Sequence, residues 1–208
     1  MSADRDHLLR AARGLALFTI AYNLAEGLVS MAFGWKDDSL ALFGFGADSF
    51  IEVGSALLVL WRLGGGHDRA RERRATLGIG VLFLLLGVGV AAGAALQLRA
   101  RAHPPTTVPG LVIALVSLSF MAFLWRAKRK VGRELDSATV MADAACSRAC
   151  LQLSGVLLAG SFLFWAAPRW WWADSAAALA LALLIAKEGI GMVRAARRED
   201  FDGGCGCS

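Results

Sequence analysis

Long polar segments are what this chain most lacks. Across its 208 residues, the non-apolar stretches are the N-terminal segment, the loops, the polar stretch before Leu151 and the tail after Val193, none of them long enough for a soluble domain of ordinary size. Any chemistry must therefore take place among apolar segments. Proline is scarce, at four residues, and histidine scarcer, at three, with no histidine inside an apolar run. An enzyme would need a nucleophile with a positioned base; no serine-based motif stands out either, so catalysis is not expected. The four cysteines include no CxxC pair of zinc-finger spacing. The glycine run Gly64–Gly66 is not followed by the Lys-Ser or Lys-Thr that opens a helix after a phosphate-binding loop, and reads as a linker. No small-residue cleavage pattern follows the first apolar run, so that run is expected to be a retained helix and not a signal peptide.

What is present is apolar sequence in membrane-length pieces. Hydrophobic residues make up 57% of the chain, and the mean hydropathy is +0.54. Runs near the ~20 residues that a bilayer core requires occur at Leu15–Phe33, Leu40–Trp61, Leu77–Leu98, Val108–Trp125, Leu151–Trp165 and Trp172–Val193. The expected fold is all-α, an integral membrane bundle of six transmembrane helices. The fifth run is short, so its helix has to extend back through the polar stretch from Ser137 to Cys150. The expected division is a cytoplasmic N-terminus at 1–14, a six-helix transport domain at 15–193 and a cytoplasmic Cys-containing tail at 194–208.

Lys and Arg are distributed unequally between the two sets of loops. Sixteen of the 22 fall on one side, including Arg69–Arg74 and the run Arg126–Arg133, against four on the other, Lys36, Arg99, Arg101 and Arg169; Arg148 and Lys187 lie within helices. Positively charged loops stay inside, so both termini are placed in the cytoplasm and the chain in the cell membrane as a multi-pass protein. The net charge of +5 is then a topology signal. It calls for no nucleic acid, and its blander consequence is attraction to anionic lipid headgroups of the bilayer.

Two pairs of metal-binding residue types stand at helical spacing within the expected helices: Asp48 with Glu52 inside the second apolar run, and Cys146 with Cys150 in the polar stretch before the fifth. An i, i+4 spacing puts both side chains on one helix face, so two facing helices offer four ligands to one point. Ionisable groups at membrane depth are costly and mark ion pathways. By periodicity alone the cysteines read more readily as small packing residues; the acidic pair, well inside its span, reads as ligands, with groups facing water at a membrane edge as the plain alternative.

The segment from Asn23 to Trp61, with Asn23, Glu26, Ser39-Leu40-Ala41-Leu42, Gly44, Asp48-Ser49-Phe50-Ile51-Glu52 and Gly54-Ser55-Ala56, resembles the first two helices of the cation diffusion facilitators. Ala142-Asp143, Cys146, Cys150, Trp172-Ala173-Asp174-Ser175 and Glu188-Gly189 are similar to that family's fifth and sixth helices. The resemblance implies a dimeric transporter that moves divalent transition-metal ions out of the cytoplasm in exchange for protons. Its tetrahedral site would be Asp48, Glu52, Cys146 and Cys150, where the family more commonly has His or Asp and Asp in place of the two cysteines. The thiolates turn the expectation toward zinc or cadmium and away from manganese and magnesium. The metal is the cargo, and no cofactor is expected. Thiols must lose protons to bind metal, so loading the site and protonating it oppose each other.

Accessory roles are open at several positions. Asn23 and Glu26 share a face and either hydrogen-bond within the bundle or relay protons. Asp143 is a helix-terminus charge or part of the ion's route, and Asp136 is read as a helix-terminus charge. Arg148 points away from the cysteines, and Glu26 or Asp143 is its expected partner. Cys205 and Cys207 in the tail either chelate metal or are incidental. The family's cytoplasmic domain has no counterpart here, so a homodimer is expected through small residues of the third helix, including Gly87, Gly89 and Gly93. The alternative to a transporter is a membrane metal sensor that binds without flux.

Overall fold

The structure, a computed structural model, describes residues 2–36, 40–65, 68–100, 108–166, 172–201 and 203. Six helices follow one another: α1 Ser2–Lys36, α2 Leu40–Leu63, α3 Arg69–Ala100, α4 Val108–Glu134, α5 Ala138–Ala166 and α6 Ala173–Arg197. Within α1, α3 and α6, the stretches Arg5–Phe33, Arg69–Ala100 and Ser175–Arg197 are long and apolar enough to cross a membrane. Three expectations about element ends change. The N-terminal segment is helical from Ser2 and continuous with α1, and the basic stretch Arg69–Arg74 is the first part of α3. The run Arg126–Arg133 is helix as well, because α4 continues about two turns past Trp125 to Glu134. Helix α5 does extend back through the polar stretch, as its short apolar run required.

The bundle buries a polar cluster within its apolar core and exposes large apolar side chains on its outside. Thr19, Asn23, Ser30, Ser49, Glu52, Ser55, Ser117, Lys128, Asp143, Ser147 and Ser154 are buried, whereas Leu17, Leu28, Leu85, Val88, Phe123 and Leu183 are exposed. In water such an apolar surface would be an aggregation hazard. In a bilayer the same surface meets lipid, and the backbone of each helix satisfies itself internally.

Helices pair most closely as α1 with α2, α3 with α6, and α4 with α5. Without a hydrophobic drive between helices in lipid, small residues that allow close approach decide such pairings. At the α1–α2 crossing a methyl added to Gly46 would lie 2.7 Å from Met31 Cγ and 2.9 Å from the Gly27 carbonyl. The α3–α6 crossing has the same design. A methyl on Gly80 would approach the Gly189 carbonyl at 3.2 Å, and one on Gly189 the Gly80 carbonyl at 3.1 Å. Gly87, expected at a dimer contact, instead packs on Ala182 and Ala186 of α6 within the protomer, while Gly89 and Gly93 face open space.

One end of the bundle is stitched by arginines. Arg13 Nη2 donates to the Leu63 carbonyl (3.1 Å) at the end of α2, and Arg73 donates to the carbonyls of Ala196 (2.5 Å) and Arg197 (3.1 Å) at the end of α6. Helix C-termini present unpaired carbonyls and partial negative charge, so cations belong there. Between α4 and α5, Ser137 N bonds the Gly132 carbonyl (3.0 Å) and Asp136 takes a left-handed φ of 47°, the turn that stops one helix and opens the next. Asp136 is thus a helix-junction residue. Phe201 and Gly203 run back along this end, where the Gly203 carbonyl accepts from Ala138 N (3.0 Å) at the start of α5. Cys205 and Cys207 lie outside the described residues, as do His67, His103, Trp170 and Trp171.

Candidate functional site

Three helix faces carry polar residues toward a common point. On α2 the inward positions Phe45, Ser49, Glu52, Ser55, Ala56 and Val59 recur at helical spacing, and all are buried. On α5 the corresponding stripe is Thr139, Asp143, Cys146, Ser147, Cys150 and Ser154, and on α4 it is Ser117, Met121, Leu124 and Lys128. Glu52 sits about halfway along α2. Lys128 and Asp143 lie roughly 8–9 Å inside the ends of α4 and α5 that meet at the turn.

The centre of the cluster is an ammonium group. Lys128 is 1% exposed and its Nζ lies 3.1 Å from Glu52 Oε1 and 3.0 Å from Asp143 Oδ2, and it donates to Ser147 Oγ at 2.9 Å. An ammonium has three protons to give, and here each has an acceptor. Ser147 in turn donates to Glu52 Oε1, and Ser55 Oγ donates to Asp143 Oδ1 at 2.7 Å. Both carboxylates are thereby held by α2, α4 and α5 together. One positive charge stands between two negative ones in a dry interior, where an unpaired ion of either sign would cost several kcal/mol, of order 3–5.

The expected ligands are distributed unevenly around this core. The Cys150 thiol donates to Glu52 Oε2 at 3.8 Å. Cys146 is fully buried one turn away on the same helix, and both cysteines are free thiols. Asp48 is half-buried at the margin of the α2 face, one turn from Glu52. Among the described residues no three Asp, Glu, His or Cys side chains converge closely enough to hold a metal ion. The structure therefore brings Glu52 and Cys150 together, with Asp143 across the Lys128 bridge, and leaves the four-residue set open.

Glu26 and Asn23 form a second polar layer on α1. Glu26 accepts from Tyr22 Oη (2.9 Å) and from Ser49 Oγ (3.1 Å), and Ser49 is one turn from Glu52 on α2. Asn23 Nδ2 donates to the Thr19 carbonyl at 2.9 Å while its Oδ1 is buried without a partner. Both residues are within the bundle, as their shared face implied. Arg148 corrects an expectation. It pairs with Glu188 of α6, not with Glu26 or Asp143, because its position two residues from Cys146 turns it out of the α2–α5 interface toward α6.

Lys128 is the residue that sequence reasoning placed elsewhere, in a cytoplasmic loop with its basic neighbours. A usable signal existed. Ser117, Met121, Leu124 and Lys128 continue one helical stripe, and no helix breaker stands between Trp125 and Gly132. The stripe Asp143, Ser147, Cys150, Ser154 at i, i+4, i+7 and i+11 marked Ser147 in the same way.

A bundle with lipid-facing apolar surface and a charged cluster bridged across three helices in its interior belongs to the class of polytopic membrane proteins that carry ions. The pattern of the cation efflux transmembrane domain matches residues 16–199, which is most of the chain, and the protein belongs to that family, the cation diffusion facilitators. It is a multi-pass cation efflux transporter and not an enzyme. No curated protein matches the chain.

Proposed function

We propose that the protein exports zinc or cadmium from the cytoplasm by exchange with protons, through a site made of Asp48, Glu52, Cys146 and Cys150. The observation that carries this reading is the contact of the buried Cys150 thiol with the buried Glu52 carboxylate, 3.8 Å apart at mid-bundle. A carboxylate beside a thiol is a mixed hard and soft donor pair, which suits zinc and cadmium better than magnesium or manganese. Cys146 and Asp48, each one turn from a member of that pair, complete a four-ligand set once α2 and α5, already in contact, adjust against each other. Metal binding releases the thiol protons, so proton uptake on the far side expels the ion and no separate coupling device is needed. The basic end of the bundle, where Arg13 and Arg73 cap helices, is the cytoplasmic end. Dimerisation is proposed through the open face of α3 that includes Gly89 and Gly93, which have nothing within 4 Å of an added methyl.

The test is cadmium and zinc flux into proteoliposomes under an imposed pH gradient, for the wild type and for a Cys146→Ala/Cys150→Ala variant. Gradient-dependent flux that the double substitution abolishes supports the reading. Flux that survives it removes the thiols from the transport site, and flux insensitive to the gradient removes the proton exchange. Tight metal binding without flux would make the protein a sensor.

A further inference from the structure

The bridge made by Lys128 raises a question that the metal reading alone does not answer. Glu52 is a proposed ligand, yet its Oε1 is already held by an ammonium at 3.1 Å and by the Ser147 hydroxyl. A divalent ion and an ammonium cannot both hold that oxygen at bonding distance without strong repulsion, since in a low-dielectric interior like charges a few ångströms apart interact far more strongly than in water. We propose that Lys128 is a tethered competing cation: it holds Glu52 in the metal-free carrier and yields it to the transported ion, remaining bound to Asp143.

The geometry supports a hand-over more than a permanent strut. The ammonium contacts two carboxylates on different helices, Glu52 on α2 and Asp143 on α5, at nearly equal distances of 3.1 and 3.0 Å. Losing Glu52 therefore leaves the lysine with a full ion pair and with Ser147 as a second acceptor. Asp143 is itself anchored by Ser55 at 2.7 Å, so the residue that keeps the ammonium is held in place. It is Glu52, and not Asp143, that touches the Cys150 thiol. The carboxylate released is thus the one already beside the soft ligand. The arrangement also halves the net negative charge that Glu52 and Asp143 would leave in the metal-free carrier. Without Lys128, Glu52 and Asp143 would be two buried anions facing each other each time the ion departs. In this scheme the lysine lowers metal affinity and favours release. The inference rests on Glu52 being a ligand, as proposed above.

The test compares cadmium binding by calorimetry on the full-length protein in detergent, with cadmium flux in proteoliposomes, for the wild type and two variants. Lys128→Met/Asp143→Asn removes one charge of each sign, so the formal charge of the cluster is unchanged. It is expected to bind cadmium about ten- to a hundred-fold more tightly, the worth of one charged hydrogen bond no longer displaced, and to turn over more slowly. Lys128→Arg keeps the charge but grips a carboxylate with a two-pronged fork, and is expected to bind cadmium at least about tenfold more weakly. A purely structural lysine predicts the reverse: wild-type affinity in the arginine variant and equal or weaker affinity in the neutral pair. Either of those results, with wild-type flux intact, overturns the inference and leaves the proposed function standing. Absence of cadmium and zinc binding and flux in the wild type overturns both.

Discussion

Replacing Glu72 should unfasten the start of α5, the helix that carries both cysteines. Glu72 lies on α3 and is buried, yet its side chain serves two other helices. Its Oε1 accepts from Ser137 Oγ (2.7 Å) and from Thr139 N (2.8 Å), and its Oε2 accepts from Arg62 of α2. Ser137 in turn reaches Val140 N (3.3 Å), so hydroxyl and carboxylate together satisfy the first amides of α5. A negative charge at a helix N-terminus also meets the positive end of its dipole. Glu72→Ala deletes two hydrogen bonds to an ionised group, each worth about 1.5–3 kcal/mol, and strands Arg62, whose side chain is only 12% exposed. The expected loss is about 3–5 kcal/mol. For a chain of this size, at ~2–4 °C per kcal/mol, that lowers the apparent Tm by roughly 10 °C. Glu72→Gln keeps an acceptor for Thr139 N and should cost about half as much. The assay is thermal unfolding of the purified protein in detergent, followed by fluorescence of its seven tryptophans. A change of less than about 2 °C for the alanine variant would refute the idea that this carboxylate holds α5.

Other expectations follow from single contacts. Gly46→Ala should destabilise by about 1–3 kcal/mol, because the new methyl meets backbone of α1 as well as Met31, and a comparable substitution at Gly14, which has open space around it, should be close to neutral in the same melt. Arg148→Met should leave cadmium affinity within about twofold and stability within about 1 kcal/mol, since its partner Glu188 and the arginine itself are both more than a third exposed and the pair faces away from the cysteines. Calorimetry showing a large loss of affinity would place Arg148 at the site. Gly93→Leu should preserve the melting temperature, having no neighbour to strike, and should lower the dimer fraction in crosslinking if the open face of α3 is the interface. An unchanged dimer fraction would move that interface elsewhere.

Membrane-length apolar runs made the six helices legible, since hydropathy needs no knowledge of neighbours. The spacing of Asp48 with Glu52 and of Cys146 with Cys150 made the chemically important faces of α2 and α5 legible for the same reason: helical periodicity is local. Charge was harder to read. A lysine three residues beyond a tryptophan, within Trp125-Arg126-Ala127-Lys128-Arg129-Lys130, looks like a juxtamembrane anchor, and the other three cations of that run are exposed, as that reading expects. Only the angle of α4 against α2 and α5 separates Lys128 from Arg126, Arg129 and Lys130. The same holds for Arg148, whose partner depends on α6 lying alongside α5, and for Gly87, whose use depends on α6 covering α3 before a second protomer can.

The sequence by itself determined that this chain forms apolar helices of membrane length, that the basic residues collect at one end of them, and that carboxylates and thiols lie one helical turn apart on two of them. These follow from composition and from the 3.6-residue period, which are properties of each segment alone. Tertiary structure alone decided which charges meet. Pairing Glu52, Lys128 and Asp143 joins residues up to 91 positions apart, from three helices. In a low-dielectric interior, such an arrangement is stable only when every partner arrives together.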